Sequence, residues 1–101
     1  MEKRPMAELI PELFDTILKL RTQEDCAAFF EDLCTEKEVE NMAARLAAAK
    51  LLIEGKTYLQ VIETVDISSA TLSRVSRCVR HGTGYTRMIE RECGVFLFSF
   101  R

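Results

Sequence analysis

The chain has few of the residues on which enzymes and metal sites commonly rely. Its 101 residues include one histidine, His81, and four cysteines, Cys26, Cys34, Cys78 and Cys93, no two of which form a C-x-x-C pair. The sequence has no glycine-rich phosphate loop, no metal-ligand spacing and no nucleophile motif. It therefore predicts a protein that is not an enzyme and holds no metal ion, and whose cysteines are reduced thiols.

Long hydrophobic runs are also absent. The longest stretches without a polar residue, 46–49 and 94–98, contain no more than five residues, whereas a helix that crosses a bilayer needs roughly 20. The first residues, MEKRPMAELIPEL, reach acidic side chains at once and lack the apolar segment of a signal peptide. These features predict a cytoplasmic protein that does not contact a membrane.

The charges of the chain are unevenly distributed. Hydrophobic residues make up 48 % of the sequence and charged residues 30 %, which is typical of a folded domain. The net charge is −2 and the pI is about 5.4. Residues 22–42 contain seven acids and one lysine, whereas residues 69–91 contain five arginines and one glutamate. Because a nucleic-acid-binding domain needs only a local basic face, the acidic pI does not exclude DNA binding.

Apolar periodicity predicts helices along most of the chain. The first amphipathic stripe contains Met6, Leu9, Ile10, Leu13, Phe14, Ile17 and Leu18. We expect this helix to start near Pro11, because proline is well tolerated in a first turn. Thr22 and Thr35 are the expected N-caps of two further helices, and Gly55 is the expected end of the longer one. The residues of the longer helix expected to face inward are Val39, Met42, Ala43, Leu46, Ala49, Leu52 and Ile53.

Two short segments in the middle of the chain have the layout of a helix-turn-helix. Residues 57–60, Thr-Tyr-Leu-Gln, are a capping box that begins the first helix. The side chains of this helix expected to face inward are Val61, Ile62 and Val65. The chain is expected to turn at Asp66 and Ile67, and Ser68 to cap a second helix that ends near His81. The predicted helix-turn-helix spans about residues 57–81.

The second helix of this motif has one apolar and one polar face. Leu72, Val75 and Val79 fall together on a helical wheel. The opposite face carries Ala70, Ser73, Arg74, Arg77 and His81, flanked by Ser69 and Arg80. Small residues allow a helix to approach base edges, arginine pairs with guanine or phosphate, and free amides at a helix start accept phosphate. The predicted DNA-binding residues are Ser68, Ser69, Ala70, Thr71, Ser73, Arg74, Arg77 and Arg80. The same pattern is compatible with a solvated helix face that has no ligand.

Several segments of the chain resemble sequences of a known family. SSATLSRV is similar to helix-turn-helix segments of bacterial regulators. The segments FFEDLCTEKEVENMAARLAAAKLLIEGKTY, SSATLSRVSRCV and HGTGY resemble the Trp-repressor superfamily, most closely its trp-repressor-related YerC/YecD branch, from about Leu13 to about Glu92. The resemblance implies an all-α, multi-helix bundle with a helix-turn-helix. It also implies an intertwined homodimer whose two recognition helices bind half-sites about one DNA turn apart.

The resemblance implies a possible ligand site as well. Two arginines of the Trp repressor help to hold its tryptophan co-repressor, and they match Arg45 and Arg74, while Thr71 matches a residue that lines the pocket. Val75 stands where the repressor motif has glycine, so its β-branched side chain is expected to intrude where the amino acid would lie. We therefore expect no L-tryptophan or similar co-repressor, an ion pair between Arg45 and an acid such as Glu38 or Glu40, and an Arg74 that is free to contact DNA.

Two positions depart from many helix-turn-helix motifs. At the position of Asp66 many such turns have glycine, because glycine easily adopts a positive φ. Aspartate tolerates a positive φ better than most residues, so the turn is expected to form. Ile62 stands where a small residue often packs between the two helices.

Residues 1–94 are expected to form one helical domain, followed by an apolar tail at residues 95–101. The tail is compatible with a disordered end, a strand added to a partner or an apolar cover on the dimer, and the last of these is favoured. The expected function is a sequence-specific, DNA-binding transcriptional regulator. The alternative is a protein-interaction module that retains the helix-turn-helix without specific DNA recognition, which the acidic pI, Ile62 and the apolar tail would favour.

Overall fold

The described part of the chain is entirely helical. The computed structural model describes residues 1–93, with side chains described up to residue 89. These residues form α1 (Met6–Ile17), α2 (Gln23–Leu33), α3 (Glu36–Ile53), α4 (Tyr58–Thr64), α5 (Ser69–His81) and α6 (Gly84–Cys93), and no strand. The predicted all-α class is confirmed, while the apolar tail at 95–101 lies outside the described residues. None of the six helices is both long enough and apolar enough to span a membrane.

The chain divides into two compact units, Met1–Glu36 and Lys37–Arg101. The first unit contains α1 and α2. The second contains α3, apart from its first residue, together with α4, α5 and α6. The helix-turn-helix predicted at about residues 57–81 therefore lies wholly within the second unit.

Helix α1 begins earlier than the sequence suggested, so the expected start near Pro11 is wrong. The backbone N–H of Glu8 donates to the carbonyl oxygen of Pro5 at 3.0 Å and closes a first turn before Pro11. The guanidinium group of Arg4 pairs with the carboxylates of Glu8 and Glu12 beside this turn. Pro11 lies inside the helix and removes one backbone donor near the N-terminal end, where the neighbouring hydrogen bonds continue the helix past it.

The two helices of the first unit bury no side chain fully. Helix α2 has the predicted N-cap, because the side chain of Thr22 accepts a hydrogen bond from the backbone N–H of Asp25 at 3.0 Å. Neither α1 nor α2 contains a buried residue. On α1 the side chain of Phe14 is 56 % exposed. The amphipathic stripe that the sequence predicts for α1 is thus present, and none of its residues is fully buried.

The hydrophobic core lies in the second unit. Its fully buried side chains are Ala48, Ala49, Val61, Leu72, Val75 and Ile89. They come from α3, α4, α5 and α6, so the core joins the helix-turn-helix to the C-terminal half of α3 and to α6. Several residues of α3 expected inside are instead exposed: Val39, Met42, Ala43 and Leu46. The prediction fails there because only the C-terminal half of α3 packs against the other helices of the unit.

Helix α3 ends at the glycine predicted for that role. Gly55 has a φ of 96°, a left-handed conformation that other residues rarely adopt. The N–H of Gly55 donates to the carbonyl oxygen of Leu52, and the N–H of Lys56 donates to that of Leu51, both at 3.0 Å. This pair of bonds is a Schellman motif. It ends α3 two residues before Thr57, the N-cap of α4.

Three cysteines have described side chains. Cys26, Cys34 and Cys78 are free thiols, and each is half-buried. Their reduced state in solution stays a prediction, and the side chain of Cys93 lies outside the described part.

Candidate nucleic-acid interface

Helix α4 begins with the predicted capping box. The side chain of Thr57 accepts from the N–H of Gln60 at 3.2 Å, and the side-chain oxygen of Gln60 accepts from the N–H of Thr57 at 2.9 Å. Val61 is fully buried and Val65 half-buried, one helical turn apart. Ile62 is 44 % exposed, so its predicted inward position is wrong. Because the face of Val61 and Val65 enters the core, the next residue along α4 points to its side, and Ile62 does not separate the two helices.

The turn between α4 and α5 needs no left-handed residue. Within the described chain no residue other than glycine has a positive φ, so Asp66 does not adopt the conformation considered for it. The two helix caps are extended, with φ −123° and ψ 135° at Val65 and φ −74° and ψ 155° at Ser68. Ile67 packs against the core. The turn is therefore fixed by extended caps and one apolar anchor, and no glycine is required at the position of Asp66.

Helix α5 begins at the predicted N-cap, Ser68. The hydroxyl oxygen of Ser68 accepts from the N–H of Thr71 at 3.2 Å, and its proton is donated to the Oγ1 of Thr71 at 3.0 Å. The hydroxyl groups of Ser68 and Thr71, both predicted to contact DNA, thus bind one another inside the cap. Their role at the helix start is shown, and a DNA contact by either remains a prediction.

The remaining predicted DNA-binding residues lie together on the exposed face of α5. Leu72 and Val75 are fully buried, and Ser76 beside them is only 7 % exposed, so these side chains fix the rotation of the helix. Val79 is half-buried and packs on the core. The exposed residues of α5 are Ser69, Ala70, Ser73, Arg74, Arg77, Arg80 and His81. The predicted division of α5 into an inner and an outer face is confirmed.

The arginines of this outer face have no ion-pair partner among the residues whose side chains the structure describes. Arg74, Arg77 and Arg80 form no ion pair with any residue that the structure describes. The same holds for Arg87, an exposed residue of α6 in the basic segment that the sequence analysis did not assign to the site. An unpaired guanidinium group presents several N–H donors suited to phosphate oxygens or to the acceptor edge of guanine. The outer face of α5 is therefore cationic and able to bind an anionic partner.

The residues matched to the co-repressor site have different environments. Arg45 is half-buried on α3 and has no ion pair among the described residues, in contrast to the pairing expected for it. Glu40 lies five residues before Arg45, outside the three- or four-residue spacing of helical pairs, and instead contacts Lys37 at 4.0 Å. Arg74 is exposed, whereas Val75 is 1 % exposed and belongs to the core.

A second surface feature lies where α3 ends and α4 begins. It is an open depression of about 320 Å³ lined by Leu51, Lys56, Gln60, Glu63 and Thr64. Apart from the half-buried Leu51, every lining residue is exposed. In the described chain no buried side-chain polar atom lacks a partner, and no group of three or more potential metal ligands occurs. The depression therefore shows no built site for a ligand or an ion.

Known proteins share both the sequence and this arrangement of helices. The family model described as Trp repressor protein matches residues 8–93. The uncharacterized protein YerC of Bacillus subtilis is 41 % identical over 83 residues, which are 81 % of this chain and 80 % of YerC. A solved TrpR-like protein from Eubacterium eligens superposes with a TM-score of 0.82 at 39 % identity, covering 86 % of this chain and 91 % of that one. A Trp-repressor candidate from Staphylococcus aureus gives 0.79 at 38 % identity, with coverages of 91 % and 90 %. The chain therefore belongs to the Trp repressor family, as the resemblance of its sequence predicted.

Proposed function

We propose that the protein is a sequence-specific, DNA-binding transcriptional regulator that acts as a homodimer through the helix-turn-helix of α4 and α5. The observation that carries the proposal is the outer face of α5, where Arg74, Arg77 and Arg80 are exposed and form no ion pair within the described part of the chain. The core holds α5 by its opposite face, so the outer face is presented on a rigid support. Since bacterial chromosomal DNA lies in the cytoplasm, the proposal implies a cytoplasmic protein. A regulator of this kind acts by binding and needs no catalytic activity.

The homodimer is supported by apolar side chains that one chain leaves uncovered. The exposed large hydrophobic residues of α1 and α3 are Met6, Ile10, Leu13, Phe14, Val39, Met42 and Leu46. Apolar side chains left exposed in this number on each of the two helices favour a protein interface. A two-fold dimer places two copies of α5 on successive major grooves about 34–36 Å apart, which doubles the contacts and requires a palindromic site.

DNA binding by this homodimer requires no tryptophan. Val75 lies in the core beside Arg74 in sequence, where its side chain fills space that glycine would leave empty. The hydroxyl of Thr71 is engaged by Ser68 in the cap. The engagement of Thr71 in the cap and the burial of Val75 both argue against an amino-acid side chain held beside Arg45 and Arg74. The regulator is therefore competent without a co-repressor.

The test is selection of purified protein against a pool of randomised DNA duplexes at near-physiological salt, without added ligand. Wild-type protein is expected to enrich a palindromic motif. Arg74→Ala and Arg77→Ala are each expected to weaken binding to that motif by about 1–3 kcal/mol, while the circular dichroism spectrum stays unchanged. Lys19→Ala removes an exposed cation from the first unit and is the matched control, expected to bind like wild type. Unchanged affinity in both arginine variants would remove the outer face of α5 as the interface.

A second candidate function is a protein-interaction module that keeps the helix-turn-helix without reading DNA. It is favoured by the apolar surface of α4, where Tyr58, Leu59 and Ile62 are exposed and Leu59 reaches 68 %. This function predicts weak DNA retention that is lost as salt rises and shows no sequence preference. A sequence-selective footprint of the wild-type protein would exclude it.

A further inference from the structure

The outermost positions of α5 form a narrow ridge. Leu72 and Val75 are fully buried and define the inner side of the helix. At 3.6 residues per turn, Ala70, Arg74 and Arg77 then point away from the core within about 60° of one another. All three are exposed. A helix that enters the major groove with this side foremost presents the ridge to the groove, with its N-terminal residues nearest the base edges.

The first ridge residue, Ala70, can make only an apolar contact. Its side chain is a single methyl group in the first turn of α5, so the helix backbone can approach the base edges closely there. A methyl group neither donates nor accepts a hydrogen bond. The apolar group that the major groove offers is the 5-methyl of thymine. Ala70 is therefore suited to distinguish thymine from bases that lack this methyl.

The second ridge residue, Arg74, can make a bidentate polar contact. Its guanidinium group is exposed and forms no ion pair with a described residue, so its donors are available to a ligand. The O6 and N7 atoms of guanine are the pair of acceptors in the major groove that matches an arginine fork. Adenine has a donor in place of O6, so the contact discriminates between the purines.

The spacing of the two residues limits the distance between the bases they contact. Four residues of helix rise about 6 Å, and successive base pairs are about 3.4 Å apart. Side chains on a helix lean toward its N-terminus, which brings the guanidinium of Arg74 closer to the level of Ala70. The two contacts therefore fall on base pairs no more than about two steps apart.

We infer that Ala70 and Arg74 read a thymine methyl and a guanine that lie within about two base pairs of each other in each half-site. This inference rests on the proposed DNA-binding function. Arg77 lies further from the start of α5, and recognition helices contact base edges mainly with their N-terminal residues. Arg77 accordingly binds phosphate and contributes affinity without base preference.

The experiment combines changes in the protein with changes of single atoms in the DNA. A duplex enriched by the wild-type protein is synthesised with each thymine in turn replaced by uracil, which lacks the 5-methyl. In a second series each guanine is replaced by 7-deazaguanine, which lacks the N7 acceptor. Dissociation constants are measured by fluorescence anisotropy at fixed salt for wild type, Ala70→Gly, Arg74→Ala and Arg77→Ala.

One uracil position is expected to weaken wild-type binding about fourfold, the effect of one buried methyl group, and to have no effect on Ala70→Gly. One 7-deazaguanine position within two base pairs of it is expected to weaken wild type about fivefold or more, and to have no effect on Arg74→Ala. Arg77→Ala keeps both effects. Ser69→Gly places a glycine in the same first turn of α5. Because Ser69 lies on the predicted interface, its control readout is the ratio of uracil to thymine binding and not the affinity itself, and this ratio is expected to match wild type.

The possible failures are distinct. If wild-type protein enriches no motif, the proposed function and the inference both fall. If it enriches a motif but the uracil effect persists in Ala70→Gly, or the 7-deazaguanine effect persists in Arg74→Ala, the inference falls and the proposed function stands. Equal circular dichroism spectra for all variants ensure that lost coupling does not reflect unfolding.

Discussion

The side chains of Ser68 and Thr71 join the turn of the helix-turn-helix to the first turn of α5. The hydroxyl oxygen of Ser68 accepts the N–H of Thr71 at 3.2 Å, and its proton is donated to the Oγ1 of Thr71 at 3.0 Å. The first N–H groups of a helix have no partner within it, and this cap satisfies one of them. It also sets where α5 begins, and therefore how far Ala70 and Arg74 lie from the turn.

Replacement of the cap is expected to destabilise the protein. Ser68→Ala removes the side-chain acceptor for the N–H of Thr71, and such a loss lowers the free energy of unfolding by about 1 kcal/mol. Ser69→Ala is the matched control, because Ser69 is exposed and lies one position inside the helix. Urea denaturation at one protein concentration measures both variants, since the stability of a dimer depends on concentration. Equal stabilities for the two variants would contradict the capping role.

Replacement of two apolar residues of the helix-turn-helix, one buried and one exposed, is expected to change stability by different amounts. Leu72 is fully buried, whereas Ile62 is 44 % exposed. Leu72→Ala is expected to lower the free energy of unfolding by about 2–5 kcal/mol, because it leaves a cavity in the core. Ile62→Ala is expected to change it by less than about 1 kcal/mol, as is usual for surface positions. A large loss in Ile62→Ala, measured by thermal unfolding, would show that another surface covers α4.

Two glycines that are both free of close contacts are expected to respond in opposite directions to alanine. A Cβ at Gly55 or at Gly84 meets no atom within 4 Å, but only Gly55 has a positive φ, of 96°. Gly55→Ala is expected to destabilise the protein by about 1–2 kcal/mol, because an L-residue is strained in that conformation. Gly84→Ala is expected to be neutral or to stabilise α6 by up to about 1 kcal/mol. Urea denaturation distinguishes the two, and a neutral Gly55→Ala would contradict the strain argument.

Local signals in the sequence were sufficient to predict the helix boundaries around the site. The caps at Thr57 and Ser68 and the stop at Gly55 each depend on hydrogen bonds that span only a few residues. For this reason the type and phase of α4 and α5 follow from the local sequence. Pro11 shows the limit of such rules, because proline is tolerated both at a helix start and within the next turn when flanking interactions support the helix.

Burial was predicted less well, because it depends on contacts between distant segments. The apolar periodicity of α3 is continuous, yet Ala48 and Ala49 are buried while Leu46 is 44 % exposed. Periodicity identifies an apolar face but does not say which half of a helix finds a partner within the same chain. Ile62 differs from its expected position for another reason, because the buried face of α4 is centred on Val61 and Val65 and Ile62 lies beside it. Which bases or ligands meet the outer face of α5 also depends on atoms outside the chain.

The exposed stripe of α1 gives a prediction about association. Phe14 is 56 % exposed, and a charge at the centre of an apolar interface is strongly unfavourable. Phe14→Glu is expected to shift the protein from dimer to monomer in sedimentation equilibrium and to weaken DNA binding with it. Asp15→Lys, at the adjacent exposed position, is the matched control and is expected to leave the dimer intact. A dimeric Phe14→Glu protein would place the dimer contact elsewhere.

Val75 is a core residue of α5, and it stands where the Trp repressor motif has glycine. Replacing it with glycine measures how much its side chain contributes to stability. Val75 is 1 % exposed. Val75→Gly is expected to lower the free energy of unfolding by about 3 kcal/mol, which combines the lost burial of valine with the low helix propensity of glycine. Ser73→Gly, at an exposed position of the same helix, is the matched control. It is expected to lose only the propensity part, about 1 kcal/mol.

The wild-type protein is expected not to bind L-tryptophan, so a calorimetric titration with the amino acid should give no heat of binding. Its affinity for the selected duplex is expected to stay constant as tryptophan is added. The physical reason for this expectation is that the Val75 side chain fills core space that a glycine would leave empty, so an indole placed there would have to displace packed side chains. Saturable binding of tryptophan to wild type, together with tighter DNA binding, would contradict this expectation. It would instead mean that Arg45 and Arg74 hold the amino acid in an arrangement that leaves Val75 in place.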